Sequence, residues 1–509
     1  MTANDSMNTG ANTSTGGNTN MNINADAWGH RPKAVVGLGY GDEGKGMTVA
    51  ALAHDAMRDH GQAVVVRYNG GPQAAHNVRK YDPKTGHVLH HTFSQFGAGT
   101  LEGAATILSA TTLVQPYLLM HEAGELLNLT GFSPVRSLDL DPKAPLLLPI
   151  HSQLNRALEE RRGKKRHGST GMGVGAARDY ELTMNEQGQG DAVPRVADMA
   201  DPFALRDKLM AQAAWLEHRW GLDFGYDDAL AREQASQIHL IYGDLMAGGC
   251  VFEDTGHALS EDFRWTPKDV VFEGSQGIML DLRYGFFPHV TYGWLDAANA
   301  VTESLRGNLP VPIVVGVTRT YATRHGYGPF PQEGTKPVPY AGEDNATGVW
   351  QGAFREGLLD VPTLSYAAGI VHPDVVAVSC EDLYGQTGEK IIDRWDGEDG
   401  QPISIGDYAL SADDSIRRED NDRDFDPATV YAPLLAAKPH TIHADLERLE
   451  RIVEDTCHAP IAVRGEGDTV ENWRIDRTVP FDLDDDTHRR QAAADANTVG
   501  AHERSGTGR

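Results

Sequence analysis

The most informative stretch of this 509-residue chain is GLGYGDEGKGM, residues 37–47, which follows the apolar residues KAVV. Its glycines let the backbone approach a ligand closely, and Gly39 to Lys45 has the G-x-x-x-x-G-K spacing of a loop that cradles phosphate. The usual Ser or Thr after the lysine is absent. Asp42 and Glu43 add negative charge that a loop serving phosphate alone would not need. The stretch therefore predicts phosphate binding combined with chemistry.

Three further polar loops contain residue types that α/β enzymes use at the ends of strands. The first, YNGGPQAAHNV, contains His76, and the second, RRGKKRHGSTGMGVGAARDY, contains Ser169 and Thr170. The third is FEGSQG, which contains Glu273 and Gln276. Each also has a structural alternative: Asp is a preferred helix N-cap, a histidine after a Gly turn often satisfies a local hydrogen bond, and a basic run often lies on a solvated face.

The pattern around these loops predicts an α/β fold with a mostly parallel central sheet flanked by helices. KAVVGLG has the composition of a buried strand, MTVAALAHDAMRDHG has helical periodicity and ends at a glycine, and AVVVRYNGG is the next strand. KDVVFEGSQGIML, VPIVVGVTRTYATR and DVVAVSCEDLYG repeat the strand-to-loop pattern, and residues 199–237 have helical composition. A β-loop-α-β opening places function at the carboxyl ends of parallel strands.

Composition excludes several classes of function. The formal net charge of -27 argues against a nucleic-acid partner, and no apolar run is long enough to span a membrane. The three cysteines, Cys250, Cys380 and Cys457, match no disulfide or zinc spacing, which suits a reducing cytoplasm. Residues 1–30 and 481–509 have the composition of disordered tails, which leaves one large catalytic domain at 31–480.

The ordered succession of motifs resembles the adenylosuccinate synthetase family. GDEGKG, GG-x-x-A-x-H, STGMGVG, FEGSQG-x-x-L-D with G-x-x-P-x-V-T, and TR-x-G-x-GPFPQE follow one another between roughly Ala34 and Asp382. The resemblance implies the P-loop-like fold of that family. It also implies a C–N ligase that joins L-aspartate to the 6-position of a purine nucleoside monophosphate through a 6-phosphoryl intermediate.

The resemblance assigns catalytic and metal-binding roles at the first loops. It makes Asp42 the base that removes the N1 proton, and His76 the acid beside the γ-phosphate and the 6-oxygen. Asp42 and the carbonyl oxygen of Ala75 would bind Mg²⁺, which prefers such hard oxygen ligands. Lys45 and Gln276 complete the implied catalytic set.

The implied nucleotide-binding residues lie in the same motifs. Donor phosphates would be held by the phosphate loop, the acceptor's 5′-phosphate by the STG turn and its base by Gln276 with Thr291 nearby. Asp382 stands at the position that recognises the donor base. The implied set is Gly41, Glu43, Gly44, Lys45, Gly46, Ser169, Thr170, Gln276, Thr291 and Asp382.

The first of two departures from the family pattern concerns the choice of the acceptor nucleotide. Where arginines for the ribose and for aspartate are expected, the chain has NATGVWQGAFREGLLD, which keeps Thr347 and Arg355 for the aspartate carboxylates. Loss of a ribose-binding arginine near Val349 favours a deoxyribose acceptor. The chain is thus similar to the phage-type members that convert dGMP to 2-amino-2′-deoxyadenylosuccinate, although Asp42 is retained where some of those members have serine. A conventional enzyme that uses IMP and GTP is the alternative.

The donor-recognition segment also departs from the family. SCED, residues 379–382, stands where TKLD is expected, so Cys380 replaces a lysine that would stack on guanine. ATP or dATP is therefore expected beside GTP as a donor. A nucleotide-sensing switch ranks lower, since the Ser or Thr after Lys45 is missing. The resemblance also implies a homodimer in which the partner supplies an arginine, with Arg178 and Arg195 as candidates.

Overall fold

Strands and helices alternate along most of the chain. The structure is a computed structural model that describes residues 28–29, 31–260, 270–335, 348, 350–409 and 426–480. Its strands are β1 (Lys33–Gly37), β2 (Val64–Arg67), β3 (His76–Asp82), β4 (His87–Phe93), β5 (Ala105–Leu108), β6 (Leu138–Leu140), β7 (Val251–Phe252), β8 (Val270–Gly277), β9 (Ile313–Arg319), β10 (Tyr321–His325), β11 (Phe354–Leu358), β12 (Val375–Ser379), β13 (Lys390–Asp396), β14 (Lys438–His443), β15 (Ile461–Gly465) and β16 (Trp473–Ile475).

The helices connect these strands and cover the sheet. They are α1 (Lys45–His60), α2 (Pro116–Thr130), α3 (Pro149–Arg162), α4 (Val174–Glu186), α5 (Pro202–Trp220), α6 (Asp228–Gly248), α7 (Thr255–Ala258), α8 (Ala298–Arg306), α9 (Val361–Val371), α10 (Pro427–Ala436) and α11 (Leu446–Cys457). No helix in the described ranges is both long and apolar enough to cross a bilayer.

The central sheet has ten strands within the described residues, in the order β16-β15-β12-β9-β1-β8-β2-β5-β6-β7. Every neighbouring pair is parallel except β15 and β16, which are antiparallel. Three antiparallel hairpins, β3–β4, β10–β11 and β13–β14, lie outside this sheet. The predicted α/β fold with a mostly parallel sheet is confirmed.

Hydrophobic layers cover both faces of the sheet because successive side chains of a strand point to opposite faces. In β1, Val35 belongs to one buried cluster, whereas Ala34 and Val36 belong to the other. All three are fully buried. This two-sided burial explains why the central strands have continuous apolar sequences rather than alternating ones.

The helical prediction for residues 199–237 needs correction. The structure has two helices there, α5 and α6, with a non-helical connection between them. Gly221 ends α5 in the left-handed conformation at φ 60°, and Asp227 caps α6 by accepting a hydrogen bond from the Leu230 N–H. The predicted tails at 1–30 and 481–509 lie outside the described residues, apart from residues 28 and 29.

Candidate active site

The phosphate loop between β1 and α1 adopts a strained backbone that its glycines make possible. Gly41 and Gly44 have φ values of 95° and 96°, and Asp42 between them has φ 61°. The first two conformations favour glycine strongly, and an aspartate tolerates the third better than most residues. The loop thereby exposes the Asp42 carboxylate, 23% accessible, at the carboxyl edge of the sheet.

The Glu43 side chain points away from the Asp42 side chain and stabilises the loop from its buried side. Its buried carboxylate accepts hydrogen bonds from the N–H groups of Gly39, at 3.0 Å, and Gly41, at 2.7 Å. It also pairs with the ammonium of Lys45 at 2.5 Å. Ser379, at the end of β12, donates its hydroxyl to the Glu43 carbonyl at 2.8 Å. Glu43 therefore shapes the loop and holds Lys45, and it does not line the cavity described below.

The charge state of Glu43 follows from these contacts. Burial raises the pKa of the Glu43 carboxyl group, but the charge and hydrogen bond of Lys45, with the Gly41 N–H, more than offset this. The net result is a pKa below its ordinary value. Glu43 and Lys45 therefore form an ionised buried pair inside the phosphate loop.

His76, at the start of β3, is held by the FEGSQG segment of β8. Its Nδ1 contacts the carboxylate of Glu273, and its Nε2 lies 3.1 Å from the carbonyl oxygen of Ser275. Glu273 is fully buried and also accepts a hydrogen bond from the Ala98 N–H at 2.9 Å. Both ring nitrogens of His76 face oxygen acceptors of its own chain, so an Nε2–H that donates to a substrate must first leave the Ser275 carbonyl.

Burial alone would raise the pKa of Glu273. The positive charge of Arg67 and the hydrogen bond with His76 outweigh it, so the pKa of Glu273 lies below its ordinary value. A carboxylate that stays ionised fixes the orientation of the histidine ring, as the carboxylate does in catalytic His–carboxylate pairs. The FEGSQG motif thus contributes a positioning carboxylate.

Asp42, Lys45 and His76 border one cavity of about 910 Å³ at the carboxyl ends of the strands. Loops after β1, β2, β8, β9, β12 and β15 contribute to its wall, as expected for a parallel sheet. The predicted site residues that line it are Gly41, Asp42, Gly44, Lys45, Gly46, Ala75, His76, Gln276 and Asp382.

Besides Glu43, four described residues of the predicted site lie outside that lining. The Ser169 hydroxyl is 3.0 Å from Asn155 Oδ1, and Thr170 follows it in the same turn. The Thr291 N–H donates to the Leu280 carbonyl, and Leu280 lines the cavity. Arg355 pairs with Glu333 at 3.1 Å and donates to the Gly328 carbonyl at 3.0 Å. Thr347 lies outside the described residues.

The STG turn nevertheless packs beside the cavity through close approaches of its glycines. A Cβ added to Gly168 would lie 2.7 Å from the Tyr327 nitrogen, and one added to Gly171 would lie 2.7 Å from Trp350 Cγ. Gln351, next to Trp350, lines the cavity. The turn predicted to bind the acceptor phosphate is therefore fitted against the β10–β11 hairpin segment.

Gly173 closes this turn, and replacing it by alanine is expected to be strongly destabilising. Its φ is 89°, and an added Cβ would lie 2.3 Å from the backbone carbon of His151 in α3, which cannot yield without moving the helix. We expect Gly173→Ala to lower the thermal midpoint measured by circular dichroism by several degrees.

The matched control is Gly188→Ala. Gly188 has a similar φ of 69°, but nothing lies within 4 Å of its added Cβ. This variant isolates the conformational cost of a left-handed alanine, about 1–2 kcal/mol. Equal midpoints for the two variants would contradict the contact between Gly173 and α3.

The residues that could hold magnesium fit a hard cation. The Asp42 carboxylate and Ala75 both border the cavity beside the phosphate loop. Among the described residues no group of three or more His, Cys, Asp or Glu side chains could enclose a metal ion. Mg²⁺ is commonly bound by one or two protein oxygens together with substrate phosphates and water. The donor set matches that mode of binding.

Sequence reasoning did not select several polar residues that line the cavity. Gln73 is buried, and neither amide atom has a hydrogen-bond partner, which is also true of Oε1 of the predicted residue Gln276. His325 Nε2, from β10, lies 3.3 Å from Asp42 Oδ2. The signals were available, since Gln73 follows the glycines of YNGGPQ and His325 lies within TR-x-G-x-GPFPQE.

The predicted donor-base segment also contributes to the cavity wall. Cys380 has φ 62° and lines the wall with Asp382, Asp468 and Trp473. Desolvation raises the pKa of Asp382, and the negative charge of Asp468 raises it further. Cys250, Cys380 and Cys457 are all free of disulfides.

Both candidate interface arginines are bound within their own chain. Arg178 pairs with Glu181 at 2.5 Å and donates to the carbonyl of Thr111. Arg195 lies 3.5 Å from Glu181 and donates to the Lys143 carbonyl at 2.6 Å. One carboxylate therefore anchors both arginines, and the assignment of a cross-subunit arginine stays a prediction.

Comparison with known proteins finds clear relatives in sequence. The adenylosuccinate synthetase family model matches residues 34–403. The adenylosuccinate synthetase of Photobacterium profundum is 31% identical over 392 residues, covering 75% of this chain and 84% of that protein. The enzyme of the same name from Pseudomonas fluorescens is 34% identical over 302 residues, covering 59% and 64% respectively.

Solved structures show the same architecture. Fully ligated adenylosuccinate synthetase from Plasmodium falciparum aligns with a TM-score of 0.66 and 19% identity, covering 87% of this chain and 99% of that one. Cyanophage S-2L succinoaminodeoxyadenylate synthetase (PurZ), bound to dGMP and dATP, aligns with a TM-score of 0.48 and 16% identity, covering 93% and 99%. The first likeness supports the fold, and the second is too weak to support an inference about this chain.

Proposed function

Because this chain belongs to the adenylosuccinate synthetase family of C–N ligases, we propose that it joins L-aspartate to C6 of a purine nucleoside monophosphate, with dGMP as the acceptor. The observation behind the proposal is that Asp42, His76 and the phosphate loop border one cavity. A base, a proton donor and a phosphate cradle are the groups that activation of a purine 6-oxygen requires.

In the first step, Asp42 accepts the N1 proton of the acceptor base. The 6-oxygen then forms a bond to the γ-phosphorus of the donor, and the bond between that phosphorus and the β,γ-bridging oxygen breaks to release a nucleoside diphosphate. Lys45 and the N–H groups of the loop hold the donor phosphates. His76, oriented by Glu273, exchanges the Ser275 carbonyl for the substrate and donates its Nε2–H to the charge that develops between the γ-phosphate and the 6-oxygen.

In the second step, the amine of aspartate forms a bond to C6 and loses its excess protons to the solvent. The bond between C6 and the phosphorylated oxygen breaks, and inorganic phosphate leaves. Arg355 is the proposed partner of the aspartate carboxylates. Its guanidinium is bound to Glu333 in this structure and would exchange that surface partner, 56% exposed, for the substrate. Mg²⁺ held by Asp42 and Ala75 would neutralise phosphate charge.

The unpaired acceptor atoms favour a guanine base. Besides the Asp42 carboxylate, the cavity offers the buried oxygen of Gln276, which has no partner, and the buried amide of Gln73, whose oxygen and nitrogen both lack one. Guanine presents two adjacent donors, N1–H and the 2-amino group, whereas hypoxanthine presents N1–H alone. Because an unpaired buried acceptor costs about 1–3 kcal/mol, the base with the additional donor is preferred. The missing ribose arginine near residue 349 supports a deoxyribose.

ATP or dATP is the proposed donor, with GTP as the alternative. Cys380 offers no cation to stack on a guanine ring, while Trp473 gives the cavity wall an aromatic surface that accepts any purine. The competing proposal is a conventional enzyme that uses IMP and GTP, and it is supported by the retained Asp42 and Asp382. A homodimer is proposed by analogy with the family.

The test is product formation by the purified chain with magnesium and aspartate. dGMP, GMP and IMP are each combined with ATP, dATP and GTP, and the aspartyl adduct is measured by mass spectrometry. We expect the adduct of dGMP to form fastest, with ATP or dATP. Faster turnover of IMP with GTP would establish the conventional reaction, and absence of any adduct would reject the ligase.

A further inference from the structure

We infer that His325 is a positioning residue for Asp42, donating its Nε2–H to Asp42 Oδ2 so that the other carboxylate oxygen faces the acceptor base. The inference rests on the proposed function, because it takes Asp42 as the base. His325 Nε2 lies 3.3 Å from Asp42 Oδ2, and the two side chains are 16% and 23% exposed. Both line the same cavity.

The β10–β11 hairpin fixes His325 at this position. His325 pairs across the hairpin with Phe354, and their rings are 4.8 Å apart. Two residues earlier in β10, the buried Thr323 hydroxyl lies 3.4 Å from the carbonyl oxygen of Gly41. The strand therefore meets the phosphate loop at two consecutive loop residues, once at the backbone and once at the carboxylate.

The surroundings of the imidazole identify the tautomer. His325 Nδ1 is buried without a hydrogen-bond partner. If the proton were on Nδ1, a buried donor would be unpaired while the Nε2 lone pair faced a carboxylate. A proton on Nε2 removes both penalties, since orphaned buried N–H groups are rarer than orphaned acceptors. The geometry thus favours a proton on Nε2 that is donated to Asp42.

The proposed hydrogen bond across this 3.3 Å contact has a consequence for catalysis. Asp42 lies in a loop whose backbone is fixed, but its side chain can rotate about χ1 and χ2. A donor on Oδ2 selects one orientation and leaves Oδ1 to receive the N1 proton. Removing such an orienting partner commonly costs 10-fold to 100-fold in activity at sites where a second residue holds the first.

The kinetic test compares His325→Gln with His325→Leu. The glutamine amide places an N–H donor near the position of Nε2, whereas leucine keeps bulk against Phe354 without a donor. For the best acceptor, we expect His325→Leu to lower kcat by roughly 10–100-fold with KM values changed less than about 3-fold. His325→Gln should recover most of that loss. Equal losses in both variants, or a loss confined to KM, would overturn the inference.

A second test needs no substrate and can decide the pairing of His325 with Asp42 even if His325→Leu or His325→Gln folds poorly. The chain is labelled with ¹⁵N-histidine, and the His325 ring signals are assigned by their absence in His325→Gln. We expect a protonated Nε2 whose resonance shifts in Asp42→Ala, while the exposed His121 on α2 is unchanged. An unprotonated Nε2, or one indifferent to Asp42→Ala, would refute the pairing. If the wild-type chain forms no adduct, the proposed function fails while this measurement still decides the pairing.

Discussion

Asp42→Asn is expected to lower kcat by about 10²–10⁴-fold, the usual contribution of a general base. Asparagine has nearly the shape of aspartate and suits the left-handed backbone at this position, so the phosphate loop keeps its conformation. The amide cannot accept the N1 proton. We expect the dissociation constant of the donor nucleotide, measured by calorimetry without magnesium, to change less than about 3-fold, well under 1 kcal/mol.

The control is Asp244→Asn, which changes an exposed aspartate on α6, a helix that contributes nothing to the cavity wall. Its turnover should match that of the wild-type chain. Unchanged turnover in Asp42→Asn would exclude Asp42 as the base. If the chain only sensed nucleotides, there would be no turnover to lose, so the same pair of variants separates a ligase from a nucleotide switch.

Glu43→Gln is expected to reduce the free energy of unfolding by about 3–5 kcal/mol, because it leaves the buried ammonium of Lys45 without its counter-charge. The Glu43 carboxylate also accepts the N–H groups of Gly39 and Gly41, so the loop should lose its shape and donor affinity should fall. Urea unfolding followed by circular dichroism measures the first effect, and calorimetry with ATP measures the second.

Glu160→Gln is the matched control, since Glu160 is exposed on α3 and should tolerate the change within about 0.5 kcal/mol. The pH dependence gives an independent check. Because the pKa of Glu43 is lowered in the folded chain, its contribution is complete above the unfolded value of about 4.3 and is lost as pH falls through the folded value. Stability should therefore fall less steeply below pH 4 in Glu43→Gln. An equal slope in both chains would contradict the ionised pair.

Local sequence patterns predicted the parts of the site that are contiguous in the chain. The strand, glycine loop and helix at residues 33–60 are present as β1, the phosphate loop and α1. Asp42 lines the cavity, because glycines on both sides determine where its backbone can go, and its role as the base stays a prediction. Because the carboxyl ends of parallel strands meet at one edge of the sheet, the loops that contain His76 and Gln276 could be predicted to lie there before their contacts were known.

Contacts between distant segments could not be predicted in this way. Glu43 was expected to bind nucleotide, but the carboxylate turns inward because two loop N–H groups and Lys45 would otherwise be unpaired. No periodicity in the sequence indicates that His325 meets Asp42, since that depends on how a hairpin docks on a loop. The break between α5 and α6 occurs at Gly221, which ends α5. The good helix formers around this glycine favoured a continuous helix in the sequence-based prediction.

The ends of the central sheet bear on how copies of this chain could associate. Within the described residues the sheet ends at β7, with two residues, and at β16, with three. Such short edges expose few unpaired backbone groups, which protects an open sheet against strand addition and fibrous aggregation. A dimer built by extending the sheet from one subunit into the next is therefore disfavoured. Association of two copies would instead use helical and loop surfaces, and the short edge strands would still protect the chain against strand addition.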